Sequence, residues 1–296
     1  MTRIDIHAAR RRFERAASTC SEASVLAREV ERRMAERLDY IKHEPQRVLD
    51  AGQGVGDGLR VLRRRYPKAM LLGVDSALAL ARRAESRQTV LARAMAFAFA
   101  PRPHHLCADM VQLPLANTSV GMVWSNLALA WVEEPLAVLR EIHRVLEMGG
   151  LIMFSTYGPD TLKELKRAFA EADAKPHIHP FIDMHDLGDM LLAAGFADPV
   201  MDMEYITLTY AGVDALARDL RNSGQTNVAL ERSRGLMGRR TWQAMERAYE
   251  RFRRDGRLPA TFEIVYGHAW KVQSHRQTDP GGRDVARIDF MPRRPR

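Results

Sequence analysis

Closely spaced glycines are the first feature of this sequence that suggests chemistry. They occur in Asp50-Ala51-Gly52-Gln53-Gly54-Val55-Gly56, between a short apolar segment at 47–51 and an amphipathic helical pattern through Leu59, Leu62 and Tyr66. Ligands of open parallel sheets bind beyond the carboxyl ends of the strands, where the strand order reverses. Glycine lets the backbone approach a ligand closely. The segment therefore predicts a turn that binds a nucleotide-like ligand.

The spacing of these glycines does not match the dinucleotide fingerprint G-x-G-x-x-G. Counted from Gly52, the third glycine would fall at Asp57; counted from Gly54, it would fall at Leu59. A carboxylate at Asp50 would repel a pyrophosphate but attract a ligand that carries ammonium and sulfonium groups. S-adenosylmethionine carries both cations and no phosphate, so we predict it as the cofactor. The predicted cofactor residues in this turn are Asp50, Gly52, Gly54 and Gly56.

Polar residues at the ends of the next three predicted strands extend this site. Asp75 can accept hydrogen bonds from both ribose hydroxyls, and we assign the adjacent Ser76 to the same site. Asp109 is placed to reach the adenine amino group, with Met110 against the ring, and Asn126 lies under the reactive centre. Each of these residues alone could be an ordinary cap or turn residue. Their occurrence at successive strand ends favours the cofactor interpretation.

Strand and helix patterns alternate between residues 47 and 155, which predicts a parallel sheet wrapped by helices. We therefore predict an α/β fold, a Rossmann-like, mainly parallel sheet of seven strands with a helical insertion. A glycine pair, Gly149-Gly150, predicts the end of the helix at 135–146. The predicted strands are 47–51, 69–74, 105–109, 121–126, 151–155, 200–210 and 262–272. The other predicted helices are 10–40, 59–66, 77–84, 160–172, 184–194 and 213–256.

The domain prediction is a single domain over residues 1–272. It comprises a helical N-terminal cap at 1–44 and a helical insertion at 213–256 that packs over the carboxyl edge of the sheet. Residues 273–296 are predicted to form a flexible basic tail. No apolar stretch is long enough to span a membrane. The chain has two cysteines and no CxxC motif, which favours a reducing cytoplasm.

A net charge of +8 favours anionic partners, although a solvated arginine-rich surface would give the same composition. A nucleic-acid methyltransferase is disfavoured, because the residues after Asn126 do not form an Asn/Asp-Pro-Pro-aromatic loop and no basic, aromatic-rich stretch is present. The spacing of His177, His179 and His185 matches no standard zinc pattern, so we predict no metal.

Several blocks resemble known families. The glycine turn, Asp75, Asp109-Met110 with Leu113-Pro114, and the Arg144–Gly150 segment resemble class I methyltransferases, which implies that fold. More specific blocks are similar to the malonyl-acyl-carrier-protein O-methyltransferase family of biotin synthesis. These blocks are Ser125–Trp131, Phe154–Leu162, Asp183–Asp189, Leu216–Asn227 and Leu258–Trp270. The resemblance implies transfer of a methyl group to the free carboxylate of a malonyl thioester on acyl carrier protein, an acidic partner.

A carboxylate acceptor is ionised at neutral pH, so the reaction requires positioning and no general base. Arginine with tyrosine or histidine donors would suit a malonyl carboxylate. The candidate catalytic residues are His185, Tyr205, Arg221 and Tyr266. The candidate docking surface for the carrier protein is the insertion at 213–256, with Arg218, Arg221, Arg232, Arg234, Arg239 and Arg240.

The sequence departs from the family pattern at four positions. Gln53 replaces the usual Cys, Val55 replaces Thr, Cys20 replaces Tyr and Ala27 replaces Gln. These departures leave three alternatives open. The protein could be a relative similar to an assembly factor that hydroxylates protein arginine, a small-molecule methyltransferase, or a non-catalytic scaffold that binds S-adenosylmethionine.

Overall fold

A computed structural model of the chain describes residues 4–94 and 102–272 and two short pieces, 277–278 and 284–285. Its main sheet has seven strands in the order β3-β2-β1-β4-β5-β7-β6. The strands are β1 (Arg47–Ala51), β2 (Met70–Asp75), β3 (His104–Cys107), β4 (Val120–Asn126), β5 (Leu146–Tyr157), β6 (Ala197–Tyr210) and β7 (Leu258–Trp270). Only β7 runs antiparallel to its neighbours, β5 and β6. The predicted fold class is confirmed.

Ten α-helices surround this sheet in the described part of the chain. They are α1 (Ile6–Ala16), α2 (Cys20–Ala23), α3 (Val25–Arg37), α4 (Asp57–Arg65), α5 (Leu78–Ala94), α6 (Pro135–Val145), α7 (Lys163–Ala172), α8 (Met184–Ala193), α9 (Val213–Asn222) and α10 (Arg239–Glu250). None of the described helices is long and apolar enough to cross a membrane.

The central strands are apolar because helices cover both faces of the sheet. Strands β4 and β5 are buried almost throughout, as expected for strands inside a parallel sheet. One core contains Met122, Trp124 and the apolar side of α3 and α4, and the other contains Val123 and the apolar side of α6. The strand order reverses between β1 and β4. Ligands of such sheets bind at that point, beyond the carboxyl ends of the two strands.

The predicted glycine cap of the helix at 135–146 is wrong. Helix α6 ends at Val145, and Leu146 already belongs to β5. The Lys271 ammonium group donates hydrogen bonds to the backbone oxygens of His143 and Leu146, each at 2.8 Å. A cation at this end of a helix is favoured by the helix dipole. Gly149 instead lies inside β5, where the strand bulges against β4.

The N-terminal region and the insertion are less continuous than the sequence patterns predict. The predicted helix at 10–40 is broken into α1, α2 and α3, so the chain can turn twice over the sheet. Between α9 and α10, residues 223–238 contain no helix. Thr19 joins the two regions, because its hydroxyl donates to the backbone oxygen of Asn222 at 2.9 Å.

The predicted flexible tail, 273–296, lies almost entirely outside the described residues. Its two described pieces are β8 (Gln277–Thr278) and β9 (Asp284–Val285), which pair antiparallel. The division into cap, insertion and tail therefore remains a prediction.

Candidate cofactor and acceptor site

The glycine turn between β1 and α4 has a shape that larger residues cannot adopt easily. Gly52 has a φ of +85°, and a Cβ atom built on it would lie 2.2 Å from Cβ of Ala128. Gly54 and Gly56 also have positive φ values, of +52° and +80°. The N–H groups of Gly52 and Gln53 donate to the backbone oxygen of Val74 and tie the turn to β2. The turn therefore packs closely against the loop after β4, and its approach to a ligand stays a prediction.

Asp75 holds this turn from the end of β2. Its carboxylate accepts a hydrogen bond from the Gly54 N–H at 3.0 Å and one from the Ala77 N–H at 2.8 Å. The side chain is partly exposed, and Ser76 beside it is exposed. Burial raises the pKa of Asp75 from its ordinary value of 3.8 to about 6. Asp75 thus lies where the sequence places it, with lone pairs left for further donors.

We expect cofactor binding to weaken in mild acid. If ribose hydroxyls donate to the Asp75 carboxylate, only the ionised form binds well, and the dissociation constant should rise about tenfold for each pH unit below the pKa of the free protein. Titration calorimetry with S-adenosylmethionine between pH 5 and 7.5 measures this. A flat profile would show that Asp75 does not contact the cofactor.

Asp109 and Met110 also lie near the turn, although β3 ends earlier than predicted, at Cys107. Asp109 is exposed, and its Oδ1 accepts from the Val111 N–H at 3.0 Å. The sulfur of Met110 lies 3.9 Å from the Cβ position of Gly52. The structure therefore brings the ends of β1, β2 and β3 together around one turn.

Asn126, at the end of β4, is the centre of a hydrogen-bond network. Its Nδ2 donates to Glu31 Oε2 at 2.6 Å and to the Ala27 backbone oxygen at 2.9 Å. Its Oδ1 accepts from the Ser155 hydroxyl at 2.7 Å. Both amide hydrogens are therefore used within the protein. A contact of Asn126 with the cofactor stays a prediction. The atoms left for such a contact are those of its backbone and the remaining lone pair of Oδ1.

Asp50 and Glu31 form a buried acid pair behind the turn. Asp50 Oδ2 has no hydrogen-bond partner in the described part of the chain. A Cβ on Gly58 would lie 2.6 Å from that oxygen and 3.0 Å from Glu31 Oε1. Burial raises the pKa of Glu31 to about 7, and burial together with the charge of Glu31 raises the pKa of Asp50 well above its ordinary value. An unpaired buried acid beside an open glycine turn fits a cationic cofactor.

Sequence reasoning missed Glu31, although a signal was present. Glu31 is buried on α3 next to Val30, inside an otherwise apolar stripe. The Trp124 indole N–H donates to its Oε1 at 2.6 Å. A charged residue in an apolar stripe needs a buried partner, which the sequence alone did not identify.

A second feature is a cavity of about 230 Å³ between the end of β5 and α9. Most of its lining is apolar, and its polar lining residues include Arg221, Gln225 and Thr226. The aromatic lining residues are Trp131, Tyr157, Phe169, Phe181, Trp242 and Phe262. Mostly apolar cavities with a few polar groups are the usual form of small-molecule sites.

Of the four predicted catalytic residues, only Arg221 lines this cavity. Arg221 is exposed, and its side chain makes no hydrogen bond or ion pair with the described residues. Tyr205 is exposed on β6, where its hydroxyl donates to Asp160 at 3.1 Å. Tyr266 is buried, with the Arg37 guanidinium 3.7 Å above its ring, and His185 is exposed at the start of α8. The described structure does not bring the four together.

Two polar residues of the cavity were not assigned a role from sequence. The Tyr157 hydroxyl donates to Gln225 Oε1 at 2.8 Å, and burial raises the pKa of Tyr157, which keeps it protonated. Burial lowers the pKa of His179 to about 4, so its imidazole is neutral near pH 7. Tyr157 ends β5 within a block that resembles the family, and this position was the available signal. In the described residues, no three His, Cys, Asp or Glu side chains are grouped as a metal site.

Comparisons with known proteins place this chain among methyltransferases. Residues 49–154 match the family described as methyltransferase domain. The chain is 54% identical over 285 residues to the malonyl-acyl-carrier-protein O-methyltransferase of Laribacter hongkongensis, an alignment that covers 96% of this chain and 95% of the relative. It belongs to the malonyl-acyl-carrier-protein O-methyltransferase family. The protein of the same name from Gallionella capsiferriformans is 50% identical, with 90% of this chain and 91% of the relative covered.

A solved structure supports the fold of this O-methyltransferase family member. It is a SAM-dependent methyltransferase from Thermotoga maritima, with a TM-score of 0.51 and 15% identity, and the match covers 89% of this chain and 99% of that one. At this identity the match supports the Rossmann-like class I fold alone.

Two departures from the family pattern lie behind or over the turn. The Gln53 Oε1 accepts from His105 Nδ1 at 2.7 Å, and it would lie 2.0 Å from a Cβ on Gly73. The Gln53 side chain is therefore buried and packs against Gly73 of β2. Cys20 is buried against Val55 and Ala77, so α1 and α2 cover the glycine turn. Neither residue removes a predicted cofactor contact of this O-methyltransferase.

Proposed function

We propose that this protein transfers a methyl group from S-adenosylmethionine to the free carboxylate of a malonyl thioester on acyl carrier protein, early in biotin synthesis. The observation that carries this proposal is the aromatic cavity at the end of β5, which has an unpaired arginine, Arg221, at its side. A cavity with an arginine at its side suits a small acyl group that ends in a carboxylate. The names of the relatives supply the carrier protein and the malonyl group.

The residues around the turn fit the cofactor. Gly52 and Gly54 allow close backbone approach, Asp75 provides carboxylate oxygens for the ribose, and Asp109 with Met110 would hold the adenine. The Asp50 oxygen that lacks a hydrogen-bond partner in the described part of the chain would favour a ligand with positive charge. When bound, the cofactor supplies a methyl group on a cationic sulfur.

The protein's own residues then position the acceptor. Arg221 would hold the ionised carboxylate, and Tyr157, which keeps its proton, and the neutral His179 would not protonate it. The apolar walls of the cavity would pack around the acyl group, while the exposed Arg221 at its side would pair with the carboxylate. The methyl ester carries no charge, so its attraction to Arg221 is lost after the reaction, which favours release of the product.

Replacing Arg221 by alanine tests the acceptor site. We expect the KM for the malonyl acceptor to rise about tenfold or more, because a charge-assisted contact is lost, while cofactor affinity stays unchanged. Steady-state kinetics and calorimetry on the same preparation measure the two quantities.

The matched control is Arg218→Ala. Arg218 lies on the same helix, α9, and does not line the cavity. Equal effects of both substitutions, or a collapse of cofactor binding in Arg221→Ala, would show that Arg221 does not bind the acceptor.

We also propose a cytoplasmic location. Cys20 is buried, Cys107 is exposed, and neither forms a disulfide. Free thiols of this kind are typical of reducing compartments.

A further inference from the structure

An exposed, arginine-rich segment leads into α10 and includes the first two residues of that helix. Every residue from 233 to 240, called here the basic loop, is exposed. At its tip, Leu236 has a relative exposure of 102% and Met237 of 41%. Arginines lie on both sides of this tip, at positions 234, 239 and 240. An apolar tip surrounded by positive charge is more typical of an interaction surface than of a solvated loop.

The charges of the basic loop do not stabilise the fold. The side chains of Arg234, Arg239 and Arg240 make no hydrogen bond or ion pair with the described residues. Arg239 and Arg240 also begin a helix, where the helix dipole disfavours cations. By contrast, the neighbouring Arg232 binds Asp5 at 2.8 Å and anchors the loop to the N-terminal region.

The basic loop is followed closely in sequence by a residue that lines the cavity at the end of β5, called here the acceptor cavity. Trp242, two residues after the loop, lines that cavity together with Arg221. A partner bound to the loop would therefore lie beside the cavity and could deliver an attached group into it.

We propose that the basic loop is the docking surface for the acidic acyl carrier protein, with Leu236 and Met237 against an apolar patch of the partner. The inference rests on the proposed function and narrows the predicted docking surface from residues 213–256 to 233–240. Charge complementarity supports this partner, since the chain carries a net charge of +8. The loop has no aromatic residue on which nucleic-acid bases could stack.

A second basic surface is a competing candidate for binding the carrier protein. It is an open groove between α1 and α5, lined by Arg10, Arg82 and Arg83. The groove therefore supplies a competing prediction for the same experiment.

The test compares two malonyl thioesters, one on acyl carrier protein and one on pantetheine. In Arg234→Glu/Arg240→Glu, we expect the KM for the carrier-protein substrate to rise about tenfold or more and its dependence on salt to become shallower. Turnover of malonyl-pantetheine should stay within about twofold of the wild type, since the cavity is unchanged. Leu236→Ser should weaken use of the carrier protein without changing the salt dependence.

Two double variants serve as controls with the same change in charge. Arg64→Glu/Lys68→Glu alters two exposed residues just before the amino end of β2. The glycine turn lies at the other end of the strands, beyond their carboxyl ends. Arg10→Glu/Arg82→Glu alters the rival groove. Equal losses in any control, or a loss in the groove variant alone, would overturn the assignment. If wild type methylated neither thioester, the proposed function itself would fail, which is a separate outcome.

Discussion

Replacement of Gly52 by alanine is expected to abolish methyl transfer and destabilise the fold. The new Cβ would lie 2.2 Å from Cβ of Ala128, and the φ of +85° disfavours any side chain. Overpacking and the left-handed backbone together should cost about 3 kcal/mol of the free energy of unfolding. Denaturant unfolding followed by circular dichroism measures this loss.

The matched variant is Gly54→Ala, which separates folding from binding. Nothing lies within 4 Å of a Cβ built on Gly54, so only backbone strain of about 1 kcal/mol is expected. That Cβ would enter the open space that we assign to the cofactor. We therefore expect a nearly normal free energy of unfolding with strongly reduced cofactor affinity. Cofactor affinity equal to wild type in Gly54→Ala would place the ligand elsewhere.

Asp50→Asn is expected to stabilise the free protein and weaken cofactor binding. Burial and Glu31 raise the pKa of Asp50 in the folded state, so the folded protein holds a proton that the unfolded chain releases. The wild type therefore loses stability as pH rises above the ordinary carboxyl pKa, by about 1.4 kcal/mol per unit until the folded pKa is reached. The asparagine variant lacks this loss and should therefore be more stable than the wild type at pH 8.

The same substitution removes the charge that favours a cationic ligand, so its cofactor affinity should fall. Unfolding measured at pH 4.5 and pH 8, together with calorimetry, tests both effects. Asp189→Asn, which changes an exposed acid on α8, is the control and should alter neither quantity. A variant that is less stable than wild type at pH 8 would show that Asp50 is not held in a strained acid pair.

The glycine turn was predictable because its signals are local. Glycines with positive φ, an acid before them and polar residues near successive strand ends all lie within short segments, and a parallel sheet collects the ends of its strands at one edge. Asp75 and Met110 accordingly lie at the turn. The fold class followed from the alternation of strands and helices.

The cavity that we propose as the acceptor site was harder to predict because its residues come from distant segments. Trp131, Tyr157, Arg221 and Trp242 meet only after α9 packs over the end of β5. Tyr205 and Tyr266 were suitable by residue type, but the face to which a strand residue points depends on register, and a shift by one residue reverses it. Glu31 was missed for a similar reason, since its partners Trp124 and Asn126 lie on β4.

The most direct test of the central claim incubates the full-length protein with methyl-labelled S-adenosylmethionine and malonyl-acyl carrier protein. We predict that the label appears on the carrier protein, that intact-mass analysis shows one added methyl group, and that mild base releases the label as methanol, as expected for an ester. Measurable binding of the cofactor without any base-labile label on the carrier protein would contradict the account.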